Sequence, residues 1–180
     1  MSVRSGILAV LSLGPAYGLQ IHGEIEARTD RLGRINVGQI YSTLDRLESR
    51  GLVLPAGETD DGLPLYGLTS LGELEMIDWC RHAEPNASWS SMVGQVLMVI
   101  SLPGHSASAL IADYRRQLLA PLGHPGPDAL TALADAASSA FASAGLTWLD
   151  SVELATREPD ALARPLGQLR PRRGRRPTTD

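Results

Sequence analysis

The chain has 180 residues, 43% hydrophobic and 20% charged, the composition of a globular protein with enough apolar residues for a sizeable core. A net charge of −4 argues by itself against nucleic-acid binding, the single cysteine, Cys80, excludes an internal disulfide and a cysteine-built zinc site, and no uninterrupted apolar run nears the roughly 20 residues of a membrane span, so no membrane partner is expected. The charge is segregated, however: residues 1–84 hold seven arginines and twelve acids, whereas 164–180 hold six arginines and one acid.

Ile7, Leu8, Val10 and Leu11 recur on a helical face that stops at Gly14-Pro15, where proline cannot continue a helix interior. Amphipathic pattern resumes beyond Pro15, which predicts a core helix of a cytoplasmic protein rather than a leader. A second helix is expected from Tyr17-Gly18 to Asp30, burying Ile21 and Ile25 with Glu24, Glu26 and Arg28 toward water. The third has its ends written locally: Asn36 is an N-cap, Gln39 sits at N3 as in a capping box, and Gly51 follows as a C′ residue. At 100° per residue Val37, Ile40, Leu44 and Leu47 share one side, and Gln39, Ser42, Arg46 and Ser49 share the other. Arg28, Arg31, Arg34, Arg46 and Arg50 meet only three acids over the same stretch, so it is locally cationic.

Leu52-Val53-Leu54 and Leu65-Tyr66-Gly67-Leu68 read as two strands joined by the turn formers Glu58-Thr59-Asp60-Asp61-Gly62. Thr69 or Ser70 then caps a fourth helix through Leu71, Leu74, Ile77 and Trp79 toward Ala83. Three helices, a hairpin and a helix make a winged helix-turn-helix. Beyond Pro85 the pattern is all helical: about 88–101, about 106–119, and, after a Pro/Gly-rich loop, 128–157, interrupted only by Gly145. Thirty helical residues would span about 45 Å. Their apolar seam, Leu130, Leu133, Ala137, Phe141, Ala144, Trp148 and Val152, predicts a face that packs on neighbouring helices and on a second chain; the alternative is two helices folded back at Gly145.

The segment from Ile7-Leu8-Ala9-Val10-Leu11 to Gly14-Pro15-Ala16-Tyr17-Gly18-Leu19-Gln20-Ile21 resembles the opening of PadR-like transcriptional regulators, a bacterial winged-helix family. Gly38-Gln39-Ile40-Tyr41-Ser42-Thr43-Leu44-Asp45-Arg46-Leu47-Glu48 is similar to the family's recognition helix, with its Gly-x-Ile-Tyr-x-x-Leu-x-x-Leu-Glu core, and Tyr66-Gly67-Leu68-Thr69-Ser70-Leu71-Gly72 to its Tyr-x-Leu-Thr-x-x-Gly passage from wing to helix four. The absence of lysine, with all sixteen Lys+Arg positions arginine, and abundant alanine suit a bacterial, GC-rich source. The resemblance implies a homodimeric repressor on a double-stranded operator with an inverted repeat, released in some members by a small, often aromatic, effector. The family's wing often carries Arg or Lys; here it reads Asp60-Asp61-Gly62-Leu63-Pro64-Leu65, a wing expected to repel phosphate.

In that setting Ser42 and Arg46 are expected to contact base edges, and Gln39 either a base or only the cap. The resemblance gives the Tyr41 hydroxyl a phosphate while its ring packs on helix two. Arg31 and Arg34, ahead of the recognition helix, would contact the backbone and position the module; Asn36 and Thr43 complete the expected DNA-contacting set. Arg28 and Arg50 rank lower because Glu24 and Glu48 lie within pairing distance on the helix surface. Trp79, Trp89 and Trp148 are read as packing rather than a ligand platform, and Cys80 as a buried thiol rather than a redox sensor. No cofactor, metal set or enzymatic motif is expected: His22, His82, His105 and His124 are scattered and no phosphate loop occurs.

The expected organisation is therefore mostly α with a small β-hairpin wing: a winged helix-turn-helix over 1–85, an all-α dimerisation and effector region over 86–160, and a flexible basic tail over 161–180. Within that tail Arg170-Pro171-Arg172-Arg173-Gly174-Arg175-Arg176-Pro177 resembles the Arg-Gly-Arg-Pro core of a minor-groove AT hook with an added arginine. The rival reading is a small-molecule or protein-binding module that kept the winged-helix fold without an operator.

Overall fold

A computed structural model describes residues 1–32, 35–120, 128–158 and 160–167. Helix α1 (Val3–Leu11) is buried almost all round, from Gly6 to Leu11, and forms the centre of the N-terminal half. Helices α2 (Gly18–Arg28) and α3 (Val37–Ser49) pack on it and on each other. Asn36 caps α3 and Gln39 closes the capping box; Gly51 takes φ +69°, the left-handed turn expected there. Strands β1 (Val53–Glu58) and β2 (Pro64–Leu68) pair antiparallel from Val53↔Leu68 to Glu58↔Pro64, with a register irregularity between Pro55 and Glu58. Ala16 and Tyr66 exchange backbone hydrogen bonds, adding a one-residue third strand that fixes the wing to the α1–α2 turn.

Helix α4 (Ser70–Arg81) is capped by Thr69, whose hydroxyl also donates to the Gly51 carbonyl. Only Gly72, Met76 and Cys80 of α4 are buried; Leu71 and Leu74 are exposed. Helices α5 (Trp89–Ile100), α6 (Ser108–Leu119) and α7 (Ala129–Ala155) complete the elements among the described residues. The core does not stop at residue 85. Val96, Met98, Val99 and Leu102 belong to the same buried cluster as Ile7, Ile21 and Ile40, and α5 packs against both α1 and α2. Gln95, fully buried, ties this junction by donating to the Trp79 and His82 carbonyls while accepting from the Tyr114 hydroxyl.

Helix α7 runs unbroken through Gly145, so the folded-back alternative does not hold. Glycine leaves room for α6 there: a Cβ at 145 would lie 2.8 Å from Leu118 Cδ1, so the end of that side chain would have to turn away. The face buried within the chain is Gly145, Leu149 and Val152, with Phe141 and Trp148 partly covered, and Trp89 packs against both of these aromatic rings. Of the predicted seam, Leu130 (80% exposed) and Leu133 (69%) stand open, as do Ala137 and Ala144. By length and mean composition α7 is also the one helix among the described residues that could cross a membrane. It contains no uninterrupted apolar run of that length, because its hydropathy is an average over many alanines, broken by Asp135 and serines.

Two further expectations change. Arg28 does not face water but is buried, with Glu24 alongside. And the first part of the expected flexible tail, residues 161–167, is held against α2, with Leu166 tucked onto the core. The arginine-rich stretch itself, 168–180, lies outside the described residues.

Candidate nucleic-acid interface

The outward face of α3 carries Gln39, Tyr41, Ser42, Asp45, Arg46, Ser49 and Arg50, all exposed, because Ile40, Leu44 and Leu47 turn the opposite face into the core. Arg46 lies back along its own helix: Nε donates to the Ser42 carbonyl and Nη2 to Thr43 Oγ1. Gln39 Oε1 accepts from the Asn36 amide, and the Asn36 side chain accepts from Gly38, so both form the cap. Ser42 Oγ donates to the Gln39 carbonyl. Thr43 is not presented on the surface: it is 7% exposed, beside Val3 and Arg4 of α1. On a helical wheel it falls about 40° from Leu47, so its burial was readable from the spacing.

The tyrosine on this face depends on a glycine. A Cβ on Gly18 would lie 2.6 Å from Tyr41 Cε1, so glycine there lets the ring lie against the first turn of α2 in this position. That turn has no acidic residue, and Tyr17 supplies no side-chain cap. The expected ring packing is therefore present, with the hydroxyl at the α2–α3 junction. Arg31 lies just past α2 in a left-handed conformation (φ +55°), its side chain 78% exposed and 3.8 Å from Glu26. His22 donates to the Ile35 carbonyl, tying α2 to the approach to α3. Arg34 lies outside the described residues.

Charge is divided across α3. On one side Arg46 and Arg50, together with Arg4 of α1, line a groove of about 490 Å³. Arg4 is held by Glu75 and its Nε is buried without a partner, the one such side-chain atom among the described residues. On the other side Asp45 and Glu48 face the wing. Burial raises the Tyr66 hydroxyl pKa, and these two carboxylates push it further in the same direction. The wing beyond carries Glu58, Asp60 and Asp61. Sequence reading did not place Arg4 in this surface, since only the α1–α3 contact brings it there.

Elsewhere the chemistry is sparse. No group of three or more His, Cys, Asp or Glu side chains with metal-site geometry occurs among the described residues. Cys80 is buried and its thiol is pushed up to about 12 by desolvation, against a smaller opposing effect of Arg81. A cavity of about 420 Å³ opens between the α4–α5 linker and helices α5, α6 and α7, lined by Ala87, Met92, Tyr114, Leu118 and Phe141 among others.

Two solved structures of Bacillus subtilis PadR, one in complex with operator DNA and one in complex with p-coumaric acid, align with the chain at 19% identity. They cover 83% and 87% of this chain and 96% and 99% of theirs, with TM-scores of 0.41 and 0.39. No curated protein matches the chain. The family model of the transcriptional regulator PadR-like family matches residues 7–77, from the start of the buried run of α1 to the middle of α4. The winged-helix part of the chain is thus similar to the PadR-like family of transcriptional regulators.

Proposed function

We propose that the protein is a homodimeric transcriptional repressor that lays α3 in the major groove of an operator with an inverted repeat, and that a small aromatic molecule releases it. The observation that carries the DNA-reading part is the outward face of α3. A helix anchored on three sides by α1, α2 and β1 presents Gln39, Ser42 and Arg46 with no protein covering them. Arg46 reads a guanine edge once it swings off its own helix, Ser42 and Gln39 lie beside it, and Tyr41, Arg31, Arg34 and the Asn36 end of the helix approach phosphates. Thr43 acts through Arg46, whose guanidinium it holds. The dimer is formed by the exposed part of α7 around Leu130, Leu133, Ala137 and Ala144, and the working compartment is the cytoplasm.

The effector site is the cavity between α5, α6 and α7. Its Met92, Tyr114 and Phe141 walls suit a planar aromatic ligand, and p-coumaric acid, found with Bacillus subtilis PadR, is the first compound to try. Bound there, it acts only as far as it prefers the dimer geometry that does not fit DNA. The test of the DNA reading is selection from a randomised duplex pool followed by titration of the winning site. Arg46→Ala should cost about 1–3 kcal/mol on that site and less on unrelated duplexes; an equal loss on every duplex would show that α3 is not the reader. The acidic wing favours one rival, a binding module without an operator, for which the intact chain would show no salt-dependent retention on duplex DNA.

A further inference from the structure

The cavity between the α4–α5 linker and helices α5, α6 and α7 combines apolar walls with polar groups that carry no charge. Met92, Tyr114, Leu118 and Phe141 form the walls, and the polar residues that line it, Asn86, Gln117 and Ser138, are exposed and neutral. The Tyr114 hydroxyl proton is committed to Gln95 Oε1, and desolvation raises its pKa, so this wall offers a ligand no donor. Ser138 donates to the Ala134 carbonyl, and Gln117 Nε2 reaches the Ala83 carbonyl at 3.4 Å. Ser138 Oγ and Gln117 Oε1 are left as acceptors, fitted to an N–H or O–H of a ligand rather than to another acceptor.

Among the described residues no cation is spare for an anionic ligand. Helices α5 and α7 contain no arginine or lysine, and the linkers 82–88 and 120–128 have none in their sequence. Of the two arginines of α6, Arg115 is held by Asp150 and Glu153 of α7, and Arg116 pairs with Asp113. Arg116 also lies about 200° round the helix from Tyr114, on the far side from the cavity. The Met1 amino group, which reaches α5, is bound by Glu84 and the Ser91 carbonyl. A carboxylate entering the cavity would give up water without gaining a counter-ion, a loss that a neutral group of the same shape avoids. We infer that the cavity takes an uncharged planar aromatic compound ending in an N–H or O–H donor, and discriminates against aromatic carboxylates. The ring lies among Met92, Leu118 and Phe141 while the donor meets Gln117 or Ser138. The inference rests on the effector cavity proposed above and narrows its ligand to one chemical class.

Isothermal titration calorimetry of the full chain at pH 7 with p-coumaramide and p-coumaric acid tests it. The two share a ring and a length, and differ in that the acid is ionised at this pH. The amide should bind at least tenfold more tightly. Two variants, each checked by circular dichroism, locate the effect. Ala142→Arg adds a cation to the lining of the cavity, with no acid within one helical turn to capture it, and should cut the preference for the amide at least tenfold by tightening the acid. Ser138→Trp, at an exposed position that lines the cavity, should fill it and weaken the amide at least tenfold. If the acid binds the wild-type chain as tightly as the amide while Ser138→Trp blocks both, the discrimination is overturned and the cavity stands. An amide preference unchanged in Ala142→Arg likewise overturns it. If neither compound binds, or Ser138→Trp leaves binding untouched, the effector cavity itself fails and the inference falls with it.

Discussion

Gly72 makes the sharpest prediction about the fold. It is the third residue of α4, and a Cβ built on it would lie 2.0 Å from the Leu52 carbonyl oxygen and 3.0 Å from its carbonyl carbon, well inside ordinary contact at 3.4–4 Å. Neither partner is a side-chain tip that can rotate away. To admit a methyl group, α4 must back off from the turn that ends α3, stretching the bonds from Thr69 N to Leu52 O and from Thr69 Oγ1 to Gly51 O. Each such bond is worth about 1 kcal/mol net, and forced overpacking costs about 1–3 kcal/mol. Alanine recovers about 1 kcal/mol of helix propensity, leaving Gly72→Ala destabilised by about 2–4 kcal/mol. Urea unfolding followed by circular dichroism reads this directly, with Gly23→Ala as the control. Gly23 is exposed in the interior of α2 with nothing within 4 Å of its built Cβ, so that substitution should stabilise by up to about 1 kcal/mol. A Gly72→Ala protein as stable as wild type, beside a Gly23→Ala protein that behaves as expected, would refute the close approach.

Cys80 should resist thiol reagents at pH 7–8 in the folded protein and react fully only in denaturant, since burial holds its thiol protonated; fast native labelling would reopen a redox role. Asp113 accepts from the Ala83 amide, which lowers its pKa below the ordinary 3.8, Arg116 adding to the effect and partial burial opposing it. Its contribution is therefore present above that value and lost as pH falls through the lowered one. Asp113→Asn should destabilise at pH 7, with the gap from wild type closing below about pH 4 in thermal melts; a gap constant with pH would contradict this. Leu130→Glu with Leu133→Glu should convert a dimer into a monomer by light scattering with little change in the monomer's stability, because neither side chain is buried within the chain. A dimer indifferent to both would move the seam elsewhere.

The elements legible in the sequence were those whose signals are local. The ends of α3 are set by Asn36, Gln39 and Gly51 within a few residues of the helix they bound, and its polar face arises from a 3.6-residue period. Asp128 and Ser88 cap α7 and α5 in the same local way. Arg28 was misplaced because its carbonyl partners lie 73 to 137 residues away in the chain, while the one local partner, Glu24, is equally compatible with a surface pair. The same distance hid Arg4 from the α3 groove. The α7 stripe was legible, but not which part of it is covered within the chain, for a related reason. Periodicity identifies an apolar stripe, but which part of it is covered is decided by the close approach of α6 at Gly145.

The core shared across the two halves limits how they can move against each other. With Val96, Val99 and Leu102 interleaved among the side chains of α1 and α2, and Gln95 and Arg28 each stitching several backbone segments together, a shear of α5 beneath the winged helix would open apolar surface and strand polar groups. In the dimer proposed above, each protomer would then turn as a single lever, and the adjustable joint would lie between the two chains, where a rotation of a few degrees changes the distance between their two α3 helices.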